Sequence, residues 1–209
     1  MLPSGGSSSR AGFQHITLKN RSDEFFGERF FGLCDRKKMN IPEPHFKEAV
    51  VHEPGHILIG ALGPLPIKSF SILVAPGGRI RRFDVQACYP PDQEVPTLKP
   101  EVRKSLLCMI AGGLAAQMFA QTSISKGPID SDRRNFNRIK LPQSEETMEQ
   151  VAEEIQPQFR DHEAIYWELV DLVRDRALEF LKKTYAPPGR YVLLTEIELG
   201  TVLKSLLAK

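Results

Sequence analysis

Two histidines four residues apart, with a glutamate directly after the first, stand at His52-Glu53-Pro54-Gly55-His56 and constrain the chain more than any other feature. The spacing H-E-x-x-H puts both imidazoles on one helical face, where they can bind one ion together. Glu53 projects about 100° away around the helix, so it can reach a water on that ion without being a ligand. The flanking residues fit a helix. Phe46, Ala49, Val50, Ile57 and Ala61 recur at three- to four-residue spacing from His45 to Leu62, and Gly63-Pro64 closes the segment. This pattern predicts an amphipathic helix. Zinc held by two imidazoles and one further ligand keeps an open position, lowers the pKa of its water toward about 7 and polarises a carbonyl. Such a site hydrolyses amides at neutral pH. The bland alternative is a pair of surface histidines beside an ordinary glutamate.

The residues alone leave the third ligand open. The extended metzincin spacing needs glycine three residues after the second histidine; that position is Ile59 and no histidine follows nearby, so the class is excluded. Asp130, Asp132, His162 and Glu163 remain downstream, with Cys108 as an outsider.

Around the motif the chain reads as mostly helical. Residues 68–75 and 79–88 are rich in β-formers and flank Pro76-Gly77-Gly78, which predicts a short hairpin beside the motif helix. Pro100 suits the first turn of a helix running to about Ala120. Lys126-Gly127-Pro128 reads as a break before a short helix from Ser131 to Ile139, followed by helical patterns near 144–155 and 158–184. Pro187-Pro188-Gly189 ends the last of these, and Thr195 with Glu198 forms a capping-box pattern before a final helix. Residues 1–40, with Gly5, Gly6 and Ser7 to Ser9, read as a tail and short extension; residues 41–209 form the domain.

Lysine and arginine number 28 against 26 aspartates and glutamates, a balance that offers no field for nucleic acid or an anionic membrane. No run of about 18 apolar residues exists and the first dozen residues lack a signal-peptide core, so a soluble protein is expected. Cys34, Cys88 and Cys108 are odd in number and form no C-x-x-C pair, which fits free thiols in a reducing, cytoplasmic setting. Lys68, Arg79, Arg81 and Arg82 make the hairpin basic, either as an edge that accepts an extended peptide or as a solvated face. Arg133 and Arg134 divide similarly between a substrate carboxylate and solvent.

Three blocks in order resemble the peptidase domain of FtsH-type membrane AAA proteases. The first is Glu48-Ala49-Val50-Val51-His52-Glu53-Pro54-Gly55-His56; the second, Ile110-Ala111-Gly112-Gly113-Leu114-Ala115-Ala116-Gln117, is similar to the family's L-G-G-R-A-A-E. The third, Gly127-Pro128-Ile129-Asp130-Ser131-Asp132, is similar to T-G-A-x-N-D, whose final aspartate is a zinc ligand. The resemblance thus implies a mainly α, zincin-type helical peptidase domain. It implies zinc on His52, His56 and Asp132, Glu53 as catalytic base, and peptide or unfolded protein as substrate. A homo-oligomer or a separate ATPase partner follows from the same likeness. Ile139, seven residues past Asp132, falls on the family's apolar helix position and supports Asp132 over Asp130.

The departures are specific. Pro54 replaces the family's alanine and removes a helical N–H at its bond to Val50, a change that costs about 3 kcal/mol or kinks the helix and so threatens the placement of His56. Leu114 and Gln117 stand where the family has arginine and glutamate, so a charged interaction is lost. No G-x-x-x-x-G-K-[ST] phosphate loop and no membrane span are present, so an ATP-independent, stand-alone peptidase is expected. The rival is a binding or scaffold protein that kept the fold, with or without the zinc, after losing proteolysis.

Overall fold

The computed structural model describes residues 43–76, 80–87, 97–122, 126–182 and 186–208, all within one compact unit, Asp35–Lys209. The proposed tail and extension over residues 1–40, Cys34 among them, lie outside the described residues, as do Arg79 and Cys88. In chain order the elements are α1 (Glu43–Leu62), β1 (Ile67–Val74), β2 (Ile80–Ala87), α2 (Pro100–Phe119) and α3 (Lys126–Ile139). They continue with α4 (Met148–Asp161), α5 (Glu163–Leu181), β3 (Gly189–Thr195) and α6 (Glu196–Leu207). The protein is mainly helical with one small antiparallel sheet, as the pattern of apolar residues implies. Among the described residues no helix is long and apolar enough to cross a membrane.

α1 begins with Pro44 in its first turn, where a missing N–H has no helical partner anyway. It ends at Gly63, whose N–H reaches the carbonyls of Ile59 (3.1 Å) and Gly60 (3.2 Å). The expected amphipathic face is replaced by burial on all sides: every residue from Glu48 to Gly60 is buried. A helix enclosed in this way is the centre of a domain rather than its surface. It is crossed by α2, and the crossing depends on glycine. A Cβ on Gly112 would stand 2.7 Å from the Gly55 carbonyl oxygen, and one on Gly55 would meet Ala116 at 2.6 Å. The small block Ala111-Gly112-Gly113 with Ala115 and Ala116 thus lets the two backbones touch, and α4 and α5 pack around the pair.

The sheet corrects the sequence reading in one respect. The hairpin β1–β2 forms, but it is two strands of a three-stranded sheet ordered β2-β1-β3. β3 pairs with β1 from Ser69↔Thr195 to Val74↔Gly189. The Pro187-Pro188-Gly189 signal hid this strand, because its stability comes from a partner more than a hundred residues away rather than from a local turn. Arg190 of β3 reaches across β1, donating to Ser71 Oγ (3.1 Å) and pairing with Asp84 of β2. Phe83 of β2 joins the sheet to α1 through an edge contact with Phe46, and stacks on Phe70.

The helix after α2 also differs from expectation. α3 starts at Lys126, five residues before the expected Ser131, since Gly127 and Pro128 fall in its first turn, where Pro has no helical bond to lose. Asp130 and Asp132 are therefore not loop or N-cap residues. Ile129, Phe136 and Ile139 form the buried stripe of α3, and Arg103 of α2, itself buried, donates to the Ile139 carbonyl (2.6 Å) at the helix end. The two helices expected near 144–155 and over 158–184 both form, but their boundary lies at His162, so α4 takes in residues 156–161 with Pro157 inside it. The capping box before α6 is present: Thr195 N–H donates to Glu198 Oε2 (2.9 Å) and Glu198 N–H to Thr195 Oγ1 (3.3 Å).

The α1–α2 contact generates a first prediction. Gly112→Ala should lower stability by about 1–3 kcal/mol through overpacking against backbone, measured by urea unfolding; an unchanged midpoint would show that the crossing tolerates a methyl group.

Candidate metal centre

Helical geometry places His52 and His56 one turn apart on α1, with ring centroids 4.7 Å apart and planes at 83°. Each ring is oriented by its Nδ1. His56 Nδ1–H donates to the Met109 carbonyl of α2 (2.7 Å), and His52 Nδ1–H donates to Gln117 Oε1 (3.2 Å), also on α2. With both Nδ1 atoms engaged, both Nε2 atoms turn to the same point, 3.1 Å from one another. Asp132 completes the group: its Oδ2 lies 2.8 Å from His52 Nε2 and 3.3 Å from His56 Nε2. It reaches inward because it belongs to the α3 stripe, three residues after Ile129 and four before Phe136.

Among the described residues this is the one cluster of three potential ligands, with its ligand atoms within 4.8 Å of one another. The donor set fits zinc. A tetrahedral ion with bonds of about 2.0–2.1 Å separates its ligand atoms by about 3.3–3.4 Å, close to the observed triangle. The other candidates stay apart from the cluster. Asp130 is exposed and accepts from Arg133 (3.2 Å) on the outer side of α3. His162 and Glu163 sit at the α4–α5 junction, and Cys108 is a half-buried thiol whose proton burial holds more tightly. Arg133 also pairs with Glu149 (2.6 Å), so it is committed within the protein rather than offered to a substrate carboxylate.

One expectation about the departures is corrected, and another departure gains a role the sequence did not show. α1 runs uninterrupted through Pro54, and His56 is not displaced from His52. Gln117 does not merely lack the charge of a glutamate: fully buried, it holds the first histidine. That role was invisible in the sequence, because nothing at position 117 alone says which ring it faces. Gly113 is the other missed participant. A Cβ there would stand 2.7 Å from His52 Nδ1, so the ring lies in the space a side chain would fill.

The electrostatics follow from burial. Burial raises the proton affinity of Glu53, and the nearby His56 and His52 only partly reverse it. Burial alone would lower His56, but Asp132, Glu53 and the Met109 carbonyl outweigh it and raise the imidazole to about 9. Asp132, although mostly buried, is held well below the usual carboxylate range by His56 and His52.

No family model matches the chain. Over 102 residues it is 31% identical to the ATP-dependent zinc metalloprotease FtsH 3 of Sorangium cellulosum (strain So ce56). The match takes in 48% of this chain and 16% of that relative, so the chain spans about a sixth of the relative's length. An FtsH-like relationship is what this similarity supports.

The pair of His56 and Asp132 makes metal-free stability depend on pH. The folded value of His56, about 9, lies above its ordinary 6.5, so its contribution is complete below pH 6.5 and lost as pH rises through about 9. The melting temperature of metal-free protein should fall across that window, and Asp132→Asn should flatten the fall. A melting temperature flat from pH 6 to 10 in the unmodified chain would contradict the pairing.

Proposed function

We propose that the chain is a zinc-dependent, ATP-independent metalloendopeptidase of the FtsH peptidase type, with residues 41–209 as a zincin-type domain. His52, His56 and Asp132 are its metal ligands and Glu53 its general base. The observation that carries this reading is the convergence of two Nε2 atoms and one carboxylate oxygen while both Nδ1 atoms are already taken by α2. Such outer hydrogen bonds fix ring orientation and raise ligand basicity. The similarity to a zinc metalloprotease supports the same chemistry.

Zinc, when bound, supplies a Lewis acid that acidifies a water and polarises the scissile carbonyl. Glu53 takes the proton of the attacking water and delivers it to the departing amide nitrogen, so the C–N bond breaks with a neutral amine leaving. Its raised proton affinity, set by burial, brings its titration closer to the pH at which it must work. The substrate is a peptide or an unfolded protein segment. The 209 residues contain no G-x-x-x-x-G-K-[ST] sequence, so these residues by themselves cleave without nucleotide, and folded substrates require unfolding by an ATPase. The scaffold alternative draws on Pro54 and on the lack of a phosphate-loop sequence in these residues; against the first, α1 continues through Pro54 and the two Nε2 atoms stand 3.1 Å apart.

Substitutions separate ligand from base. Glu53→Gln should retain about one zinc per chain while peptidase activity falls a hundredfold or more, by about the contribution of a general base. Asp132→Asn should lose both zinc and activity, and Asp130→Asn should keep both. Elemental analysis with digestion of an unfolded casein-type substrate reads all three. Zinc-loaded protein without cleavage would favour the scaffold; protein that never takes up a transition metal would end the enzymatic reading.

A further inference from the structure

Pro54 lies between the two histidines, in the turn that must hold them in register. It has no N–H for the Val50 carbonyl, and its ring crowds that carbonyl, so this turn of α1 lacks its ordinary closing bond. A side chain from another helix meets the same turn. The Tyr166 hydroxyl of α5 donates to the Val51 carbonyl at 3.0 Å. That carbonyl belongs to the peptide unit whose nitrogen is that of His52, so the hydroxyl grips the backbone directly before the first histidine. Tyr166 is fully buried and its ring is boxed in by Phe119 (5.6 Å), Phe159 (5.3 Å) and Trp167 (5.0 Å), which come from α2, α4 and α5. It has no freedom to choose another partner.

We propose that Tyr166 is a positioning residue for the histidine-bearing helix, its hydroxyl replacing at Val51 part of the restraint that Pro54 removes. α5 thereby sets the backbone that carries His52 and His56, without touching either ring. The burial that raises the phenol's proton affinity also keeps it a donor throughout the working pH range. The role in metal binding rests on the metal-centre reading above; the backbone restraint does not.

Tyr166→Phe removes the hydroxyl and keeps the ring packing, so it tests the bond alone. In metal-free protein, exchange of the Gly55, His56 and Ile57 amides should quicken about tenfold on this substitution. In a Pro54→Ala background, where the helical bond to Val50 is restored, the same substitution should change exchange less than twofold. Zinc affinity should weaken about tenfold, at the low end for outer-shell partners, and the visible spectrum of cobalt-substituted protein should change. Amide exchange and metal affinity that are unchanged by Tyr166→Phe, or changed equally in both backgrounds, would overturn the proposal. If the unmodified chain binds neither zinc nor cobalt, the metal reading fails, while the exchange comparison still decides whether Tyr166 restrains α1.

Discussion

The contact on which the site depends is the crossing of α1 and α2 at backbone distance. Gly55 and Gly112 let the helices touch, Gly113 vacates the volume that the His52 ring fills, and the Met109 carbonyl and Gln117 amide of α2 then lie within reach of the two imidazoles. Had α2 carried ordinary side chains at these places, the helices would stand farther apart and both Nδ1 atoms would lose their partners. One packing decision thus sets ring position, ring orientation and the direction in which the free nitrogens point. α3 adds the third group by a separate device, an aspartate within an otherwise apolar stripe whose far end is tied to α2 by Arg103.

This arrangement concentrates ionisable groups where solvation is poor. His52, Glu53 and His56 are buried and Asp132 nearly so. Carboxylates in such a place are costly unless paired with opposite charge. Without a metal, the protein meets the cost by holding a proton on His56 against Asp132, which is why the two groups shift in opposite directions. With both histidines neutral, the Asp132 carboxylate loses its counter-charge, a role that a divalent cation fills. Metal binding and loss of the His56 proton are on this view one linked event.

Much of this was legible in the sequence, for identifiable reasons. H-E-x-x-H has a fixed meaning on a helix, and the apolar spacing around it left little doubt that a helix forms. The resemblance of residues 127–132 to the FtsH-type block pointed to Asp132 over Asp130, where the residues alone left both open, and the structure places Asp130 on the outer face with Arg133. What was not legible depends on distant partners. β3 exists because β1 accepts it across the sheet, α1 is enclosed rather than amphipathic because α2, β2 and α5 pack on it, and Gln117 acquires its role only through the crossing angle of two helices. Pro54 was misjudged for the same reason: a local rule warned of a displaced ligand, whereas tertiary packing holds the turn.

The central claim is that one ion sits at the meeting point of His52, His56 and Asp132. Zinc X-ray absorption on the loaded protein tests it most directly, because it counts the ligand atoms by element and distance. Ligation by these residues predicts a four-coordinate shell of nitrogen and oxygen at about 2.0–2.1 Å, with scattering from two imidazole rings and no sulfur. A sulfur contribution at about 2.3 Å, or a shell without imidazole scattering, would place the ion elsewhere and contradict the assignment.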